Sequence, residues 1–178
     1  MTLEGSRPLI VEIEALSTHT KFGYPKRSAR GVSTGKLDLV IAILSKYTNA
    51  KIEEYDVFAN IGRGLSVGEP GIDLALAAAV LSSRRSISLA NTVFIGELSL
   101  TGSVKSVIGQ QKRIDEARRL GFKRIIVGGT GTQDKSKKSM SEVTVITSIR
   151  ELEQIVGKSS KKESEEADSS DELLILVG

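Results

Sequence analysis

Apolar and polar positions alternate cleanly over Leu9–Leu16, with Val11, Ile13 and Ala15 on one side and Glu12 and Glu14 on the other. A period of two predicts a strand with one wet face. A second alternation, Tyr55–Ile61, sets Tyr55, Val57, Ala59 and Ile61 against Asp56 and Asn60 and predicts another strand. This strand leads into the stretch around which the chain is organised, Gly62–Ser83. Three glycines in its first seven residues (Gly62, Gly64, Gly68) let the backbone turn where a side chain would forbid it. Pro70 then suits a first helical turn, and Glu69 and Asp73 place negative charge at the positive end of the helix dipole. From Ile72 to Leu81 nearly every residue is apolar, which predicts a helix buried on nearly every face. Strand, glycine loop and helix in this order can cradle an anion or set a nucleophile on the first helical turn. A tight connection built from small residues is the plainer alternative.

The same periodicities place the remaining elements. Ser33 is positioned to cap a helix to about Tyr47, with Leu37, Val40, Ile41 and Leu44 on its inner face. Ser82–Ala90 is a connector. Thr92–Leu100 and Ser103–Val107 read as two strands of a hairpin around Thr101 and Gly102. A helix from about Gly109 to Leu120 turns Ile114 and Ala117 inward and is stopped by Gly121. Lys123–Val127 reads as a buried strand and Glu142–Ile146 as another; Ser148 caps a last helix with Ile149, Leu152, Ile155 and Val156 inside. Ser17–Val32, polar and basic, fits a hairpin or a long ordered loop, and Gly128–Ser141 fits a basic glycine loop. Lys158–Ser170 holds no large apolar residue and is expected to form a disordered tail. It is followed by the apolar Leu173–Val177, a docking segment or a plain C-terminal extension.

Composition narrows the chemistry. A length of 178 residues suits one domain with a proper core, here residues 1–157, followed by the tail 158–178. The absence of cysteine removes disulfides, thiolate metal sites and a cysteine nucleophile together, and the single histidine, His19, makes no protein-only transition-metal site. No metal and no cofactor is therefore expected. No apolar run approaches the ~20 residues of a membrane span, so the expectation is a cytoplasmic protein with no membrane partner. The net charge of +3 hides an asymmetry: residues 158–178 carry three lysines and six acidic residues, leaving the body at +6. A basic body favours a polyanion partner.

Three sets of cations are candidates for phosphate contact. Lys21, Lys26, Arg27 and Arg30 are interleaved with Phe22 and Tyr24, giving cations for phosphates and rings for stacking; a solvated loop anchored by two rings is the equal alternative. Lys112, Arg113, Arg118 and Arg119 make the late helix basic, with Asp115 and Glu116 placed to mute them. Lys135, Lys137 and Lys138 lie in the glycine loop. The two loops hold no acidic residue except Asp134, so their charge is expected to be the more available. The start of the first helix, Gly31-Val-Ser-Thr-Gly-Lys-Leu37, imitates a phosphate-binding loop. It has one residue too few between its glycines, and Leu37 stands where a magnesium-binding hydroxyl belongs, so ATP binding is excluded there.

Several segments in order resemble a known family. Arg7-Pro-Leu-Ile-Val-Glu-Ile-Glu-Ala-Leu16, Asp56-Val-Phe-Ala-Asn-Ile61, Glu69-Pro-Gly-Ile-Asp-Leu-Ala75, Phe94-Ile-Gly-Glu-Leu98 and Lys112-Arg-Ile-Asp-Glu-Ala117 followed by Leu120-Gly-Phe122 are similar to the proteolytic domain of Lon proteases. More closely, they resemble the Lon-like C-terminal domain of the bacterial RadA (Sms) DNA-repair family. The resemblance implies an α/β (α+β) fold, a mixed sheet flanked by helices in the ribosomal protein S5 domain 2-like architecture. It puts the Lon serine position on Gly71 and the catalytic lysine position on Lys112, which leaves half a dyad and implies a pseudo-protease. Ser66, five residues upstream, would need a different geometry, and Arg63 stands where the family commonly has glycine. The family's four-cysteine zinc module and RecA-like ATPase are absent from this chain. The implied role is a non-catalytic DNA-binding and ring-forming scaffold, a homo-oligomer expected to be hexameric. It would support branch migration and processing of recombination intermediates by a RecA-like ATPase or recombinase partner. The alternatives are a Ser-Lys peptidase and a protein-interaction module without nucleic acid.

Overall fold

The computed structural model describes residues 1–5, 7–21, 23–129 and 142–157. The elements run β1 (Thr2–Glu4), β2 (Arg7–Leu9), β3 (Ile13–His19), β4 (Arg27–Arg30), α1 (Thr34–Tyr47), β5 (Tyr55–Ile61), α2 (Asp73–Arg85), β6 (Thr92–Ile95), β7 (Glu97–Leu98), β8 (Val104–Lys105), α3 (Gln110–Arg119), β9 (Arg124–Gly128) and β10 (Glu142–Ile146), with a last helix, α4, over residues 149–157. This is a mixed α/β fold, as expected.

Two three-stranded sheets meet on α2. The first has the order β3-β5-β4, with β3 antiparallel and β4 parallel to the central β5. The alternation along β3 holds: Ile13, Ala15 and Ser17 turn inward, Glu14 and Leu16 outward. The second sheet, β10-β9-β6, is all parallel. Parallel strands are covered on both faces, and here Phe94, Ile126 and Ile146 face the main core. Val93, Ile95, Ile125, Val127 and Val143 pack with Ile114 and Ala117 of α3 in a second core. Between the two sheets α2 buries Leu74, Leu76, Ala77, Ala78, Val80 and Leu81, so it is enclosed nearly all round, as its composition predicts.

Local chemistry sets the helix ends. Ser33 caps α1 by accepting the Lys36 N–H on its Oγ at 3.2 Å. Pro70 opens a 3-10 turn, Pro70–Ile72, that feeds α2, and α2 ends where Ser86 adopts φ 53°. Gly121, at φ 83°, stops α3.

Four expectations are corrected. Leu9–Leu16 is not one strand: β2 ends at Leu9 and β3 begins at Ile13, with residues 10–12 in neither. Ser82–Ala90 is not all connector, because α2 runs on to Arg85. Ser17–Val32 is not a hairpin: Ser17–His19 completes β3, and β4 pairs only with β5, which is inserted between the two. Nor is Thr92–Leu100 one strand. Its backbone breaks at Gly96, whose N–H donates to the Gly71 carbonyl at 3.2 Å and whose own carbonyl accepts from Leu74 N–H at 3.1 Å. Residues 92–95 join the parallel sheet, while β7 and β8 form a separate two-stranded hairpin. The glycine-loop residues 130–141 and the tail 158–178 lie outside the described residues, and with them Lys135, Lys137, Lys138 and the segment Leu173–Val177.

Candidate functional site

The turn that opens α2 is where the resemblance places catalysis. Gly71 is buried there, and a Cβ built on it would lie 2.7 Å from Arg113 Nη1 and 2.8 Å from Glu69 Oε1. The room for a nucleophilic side chain is taken. Arg113, only 2% exposed, lays its guanidinium across the position and donates Nη1 to Glu69 Oε1 at 2.5 Å and Nη2 to Glu69 Oε2 at 3.0 Å. Nη1 also reaches the Met1 carbonyl at 2.8 Å, and Nε the Ile108 carbonyl at 3.3 Å. A guanidinium forked onto a carboxylate fixes both groups and keeps its protons.

This geometry corrects two assignments. The α3 side chain facing Gly71 is Arg113, and Lys112, one residue earlier on the helix, points to solvent. Arg113 is also removed from the phosphate-contact set, because its donors are spent inside the protein. Of the two readings of the head of α2, an anion cradle or a tight connection, the backbone bonding here fits the tight connection. The Leu74 N–H is bound to Gly96, and Asp73 occupies the first turn.

On the other side of that turn Asp73 is buried and pairs with Lys36 of α1 at 2.5 Å; Lys36 Nζ also donates to the Glu69 carbonyl at 3.4 Å. Burial pushes the Asp73 carboxyl above its ordinary value, against the pull of Lys36 and the Leu98 N–H. The phosphate-loop imitation thus has structural uses. Ser33 caps, Lys36 is an internal counter-ion, and Gly31 sits at φ 74° with the Leu65 carbonyl oxygen 2.3 Å from where its Cβ would be.

The exposed cations fall on separate layers. Lys21, Lys26, Arg27 and Arg30 surround β4, which packs on α1 and β5, whereas α3 packs on β2, β6 and β9. Local sequence understates the acids near the first set. Arg27 Nη1 lies 3.2 Å from Asp38 of α1. Asp56 accepts the Lys26 backbone N–H at 2.8 Å and the Thr20 hydroxyl at 2.8 Å, and these two bonds hold its carboxyl below the usual range. Glu53 and Glu54 share a surface hollow with Lys21. Lys26 and Arg30 remain exposed. On α3, Arg119 is forked onto Glu116 at 2.6 and 2.7 Å, and Arg118 lies 3.9 Å from Asp115. Among the described residues no cluster of His, Asp and Glu could hold a metal ion, and no helix is long and apolar enough to cross a membrane.

Residues 67–130, from the loop before α2 into the region after β9, match the family model for subunit ChlI of Mg-chelatase. Over most of its length the chain matches curated proteins of one name. It is 35% identical over 159 residues to the DNA repair protein RadA of Halalkalibacterium halodurans, which is 88% of this chain and 35% of that protein. It is 41% identical over 127 residues to RadA of Listeria monocytogenes (71% and 28%) and 39% identical over 152 residues to RadA of Helicobacter pylori J99 (85% and 34%). Its relatives are RadA proteins. The chain spans about a third of the length of these RadA relatives. Their matches run through the Gly71 turn and α3, so the occupied turn lies within the shared region.

Proposed function

We propose that the chain is a non-catalytic, DNA-binding and ring-forming scaffold of a RadA-type repair and recombination protein. In this reading it supports branch migration by an ATPase module outside this chain. The name carried by its relatives supports a role in DNA repair, and one observation carries the non-catalytic part. Acyl-enzyme chemistry needs a nucleophile and a base that can take its proton; at the head of α2 there is glycine, and beside it an arginine that does not deprotonate.

Binding that follows DNA without reading bases needs only cations that meet phosphates. All four cations of the β4 set are exposed, and Arg27 differs from Lys21, Lys26 and Arg30 in its ion pair with Asp38. Duplex binding is measured by fluorescence anisotropy over a salt series. Replacing Lys21, Lys26 and Arg30 together by Ala flattens the log affinity–log salt slope by about two to three units, at ~0.9 per phosphate contact. Arg27→Ala alone changes it by less than one. An unchanged slope in the triple variant removes this surface from the DNA path, and no binding even at low salt removes the DNA-binding reading. Turnover of a fluorogenic peptide by the purified protein would overturn the non-catalytic part.

A further inference from the structure

A groove of about 790 Å3 runs between the two main sheets, within the ~300–1,000 Å3 range of ligand sites. Ala75 and Ala79 of α2 form its floor, Ile13 and Ala15 of β3 one wall, and Val93 and Phe94 of β6 the other. Both walls are edge strands, since the sheets end at β3 and at β6. Each therefore turns one row of backbone N–H and C=O groups away from its own sheet. Ser83 Oγ accepts the Ser17 N–H at 2.8 Å, and among the described residues no backbone hydrogen bond crosses from β3 to β6. A cleft with a floor of small side chains and two open strand edges suits an extended apolar segment, which bonds an edge through its main chain and seats alternate side chains.

The chain carries one such segment. Leu173-Leu-Ile-Leu-Val177 is five consecutive apolar residues, three of them Leu and two β-branched. The described part of α4 reaches Gly157, where an added Cβ would lie 2.9 Å from Nη1 of Arg85, and the residue after Arg85, Ser86, lines the groove. Gly157 thus lies near the C-terminal end of α2, and with Arg85 it lines a hollow separate from the groove. Residues 158–172 are polar or charged except Ala167, and a flexible linker of fifteen residues spans ~20 Å. That matches the ~20 Å length of the 13-residue α2 along the floor. A tether of this reach holds the segment at an effective concentration of order mM, so even a weak intrinsic affinity keeps the groove filled. We propose that Leu173–Val177 docks in the β3–β6 groove of its own chain as an added strand.

The 178-residue sequence has neither Trp nor Cys, so single reporters are unambiguous. Ile175→Trp is expected to emit blue-shifted from its urea-unfolded form and to resist acrylamide quenching. Adding Ala79→Arg in the groove floor should return the emission to that of an exposed indole. Because Ala79→Arg could perturb the fold, a second pair decides independently. Ala79→Cys with Ile175→Cys should form a disulfide within one chain on mild oxidation, seen as a faster non-reducing band of monomer mass. Lys112→Cys with Ile175→Cys should not. Solvent-exposed emission together with no cross-link overturns the proposal. So does a cross-link that forms only between two chains, which would make a second copy the occupant.

Discussion

Restoring the side chain that Gly71 lacks tests whether the turn has closed around its loss. In Gly71→Ser the new Cβ would stand 2.7 Å from Arg113 Nη1, 2.8 Å from Glu69 Oε1 and 3.2 Å from Arg113 Cζ. Comfortable contacts between heavy atoms lie at ~3.5–4.0 Å, so the guanidinium must retreat by about 1 Å. Arg113 is 2% exposed and has nowhere in solvent to go. Its retreat loosens the fork on Glu69 and the bond to the Met1 carbonyl together. Overpacking alone costs ~1–3 kcal/mol, and full loss of one partner from a buried pair ~3–5 kcal/mol. Partial retreat should cost about 2–4 kcal/mol. With a urea m-value of about 2 kcal/mol/M, the unfolding midpoint falls by ~1–2 M. Gly68→Ser is the control, because a Cβ there meets nothing within 4 Å, and its midpoint should not move. Neither variant should hydrolyse a fluorogenic peptide, since Arg113 cannot take the serine proton. A Gly71→Ser midpoint equal to that of Gly68→Ser, or peptide turnover that appears with the serine, would refute the reasoning.

Two other substitutions probe the same region. Lys36→Met strands the buried Asp73 and should cost about 3–5 kcal/mol at neutral pH. The folded pKa of Asp73 is already raised, so folding favours its protonated form, and that contribution is present at low pH and lost as pH rises through the raised value. Removing Lys36 raises the pKa further. The deficit against wild type should therefore shrink between pH 7 and about pH 4, and urea midpoints showing the same deficit at both ends would count against it. Gly31→Ala places a methyl 2.3 Å from the Leu65 carbonyl oxygen at a backbone φ of 74°, and should cost at least ~2 kcal/mol in the same titration. Tolerance at wild-type stability would show that the Gly62–Gly68 loop moves aside at no cost.

The elements most legible in the sequence are those whose signal is local. The alternation over Tyr55–Ile61 matches β5 residue for residue, and the Ser33 cap and Gly121 stop fall where the helices begin and end. What local pattern does not carry is partnership. The period-two signal in Leu9–Leu16 is realised as strand only at Leu9 and from Ile13 onward, and nothing in it says that β5, some 40 residues later, takes the place between β3 and β4. Thr92–Leu100 reads as one strand because its apolar alternation runs straight through Gly96. The break comes from tertiary crowding, with Leu74 and Val104 each 3.1 Å from where a Gly96 Cβ would be. The acids near the β4 cations are hidden from local sequence for the same reason. The β4 cations have no acidic neighbours in sequence, and their counter-charges arrive from α1 and β5.

Arg113 shows how a site can be legible and still be misread. At helical spacing it shares the inward stripe with Ile114 and Ala117, and a cation on an inward stripe needs a buried partner. Glu69 reads in the sequence as a helix-dipole charge, yet in the structure it receives that cation. Lys36 approaches the same turn from α1, so buried ion pairs reach it from two helices, with Gly96 bonded to Gly71 and Leu74 on a third side. Buried pairs of this kind are weak sources of net stability, and their best-attested use is to fix one arrangement over others. A turn whose donors, acceptors and empty volume are all spoken for positions α2 against α1, α3 and the β6–β7 break. At that turn a side chain on Gly71 would meet Arg113 and Glu69, and the group beside it is a guanidinium held by a carboxylate.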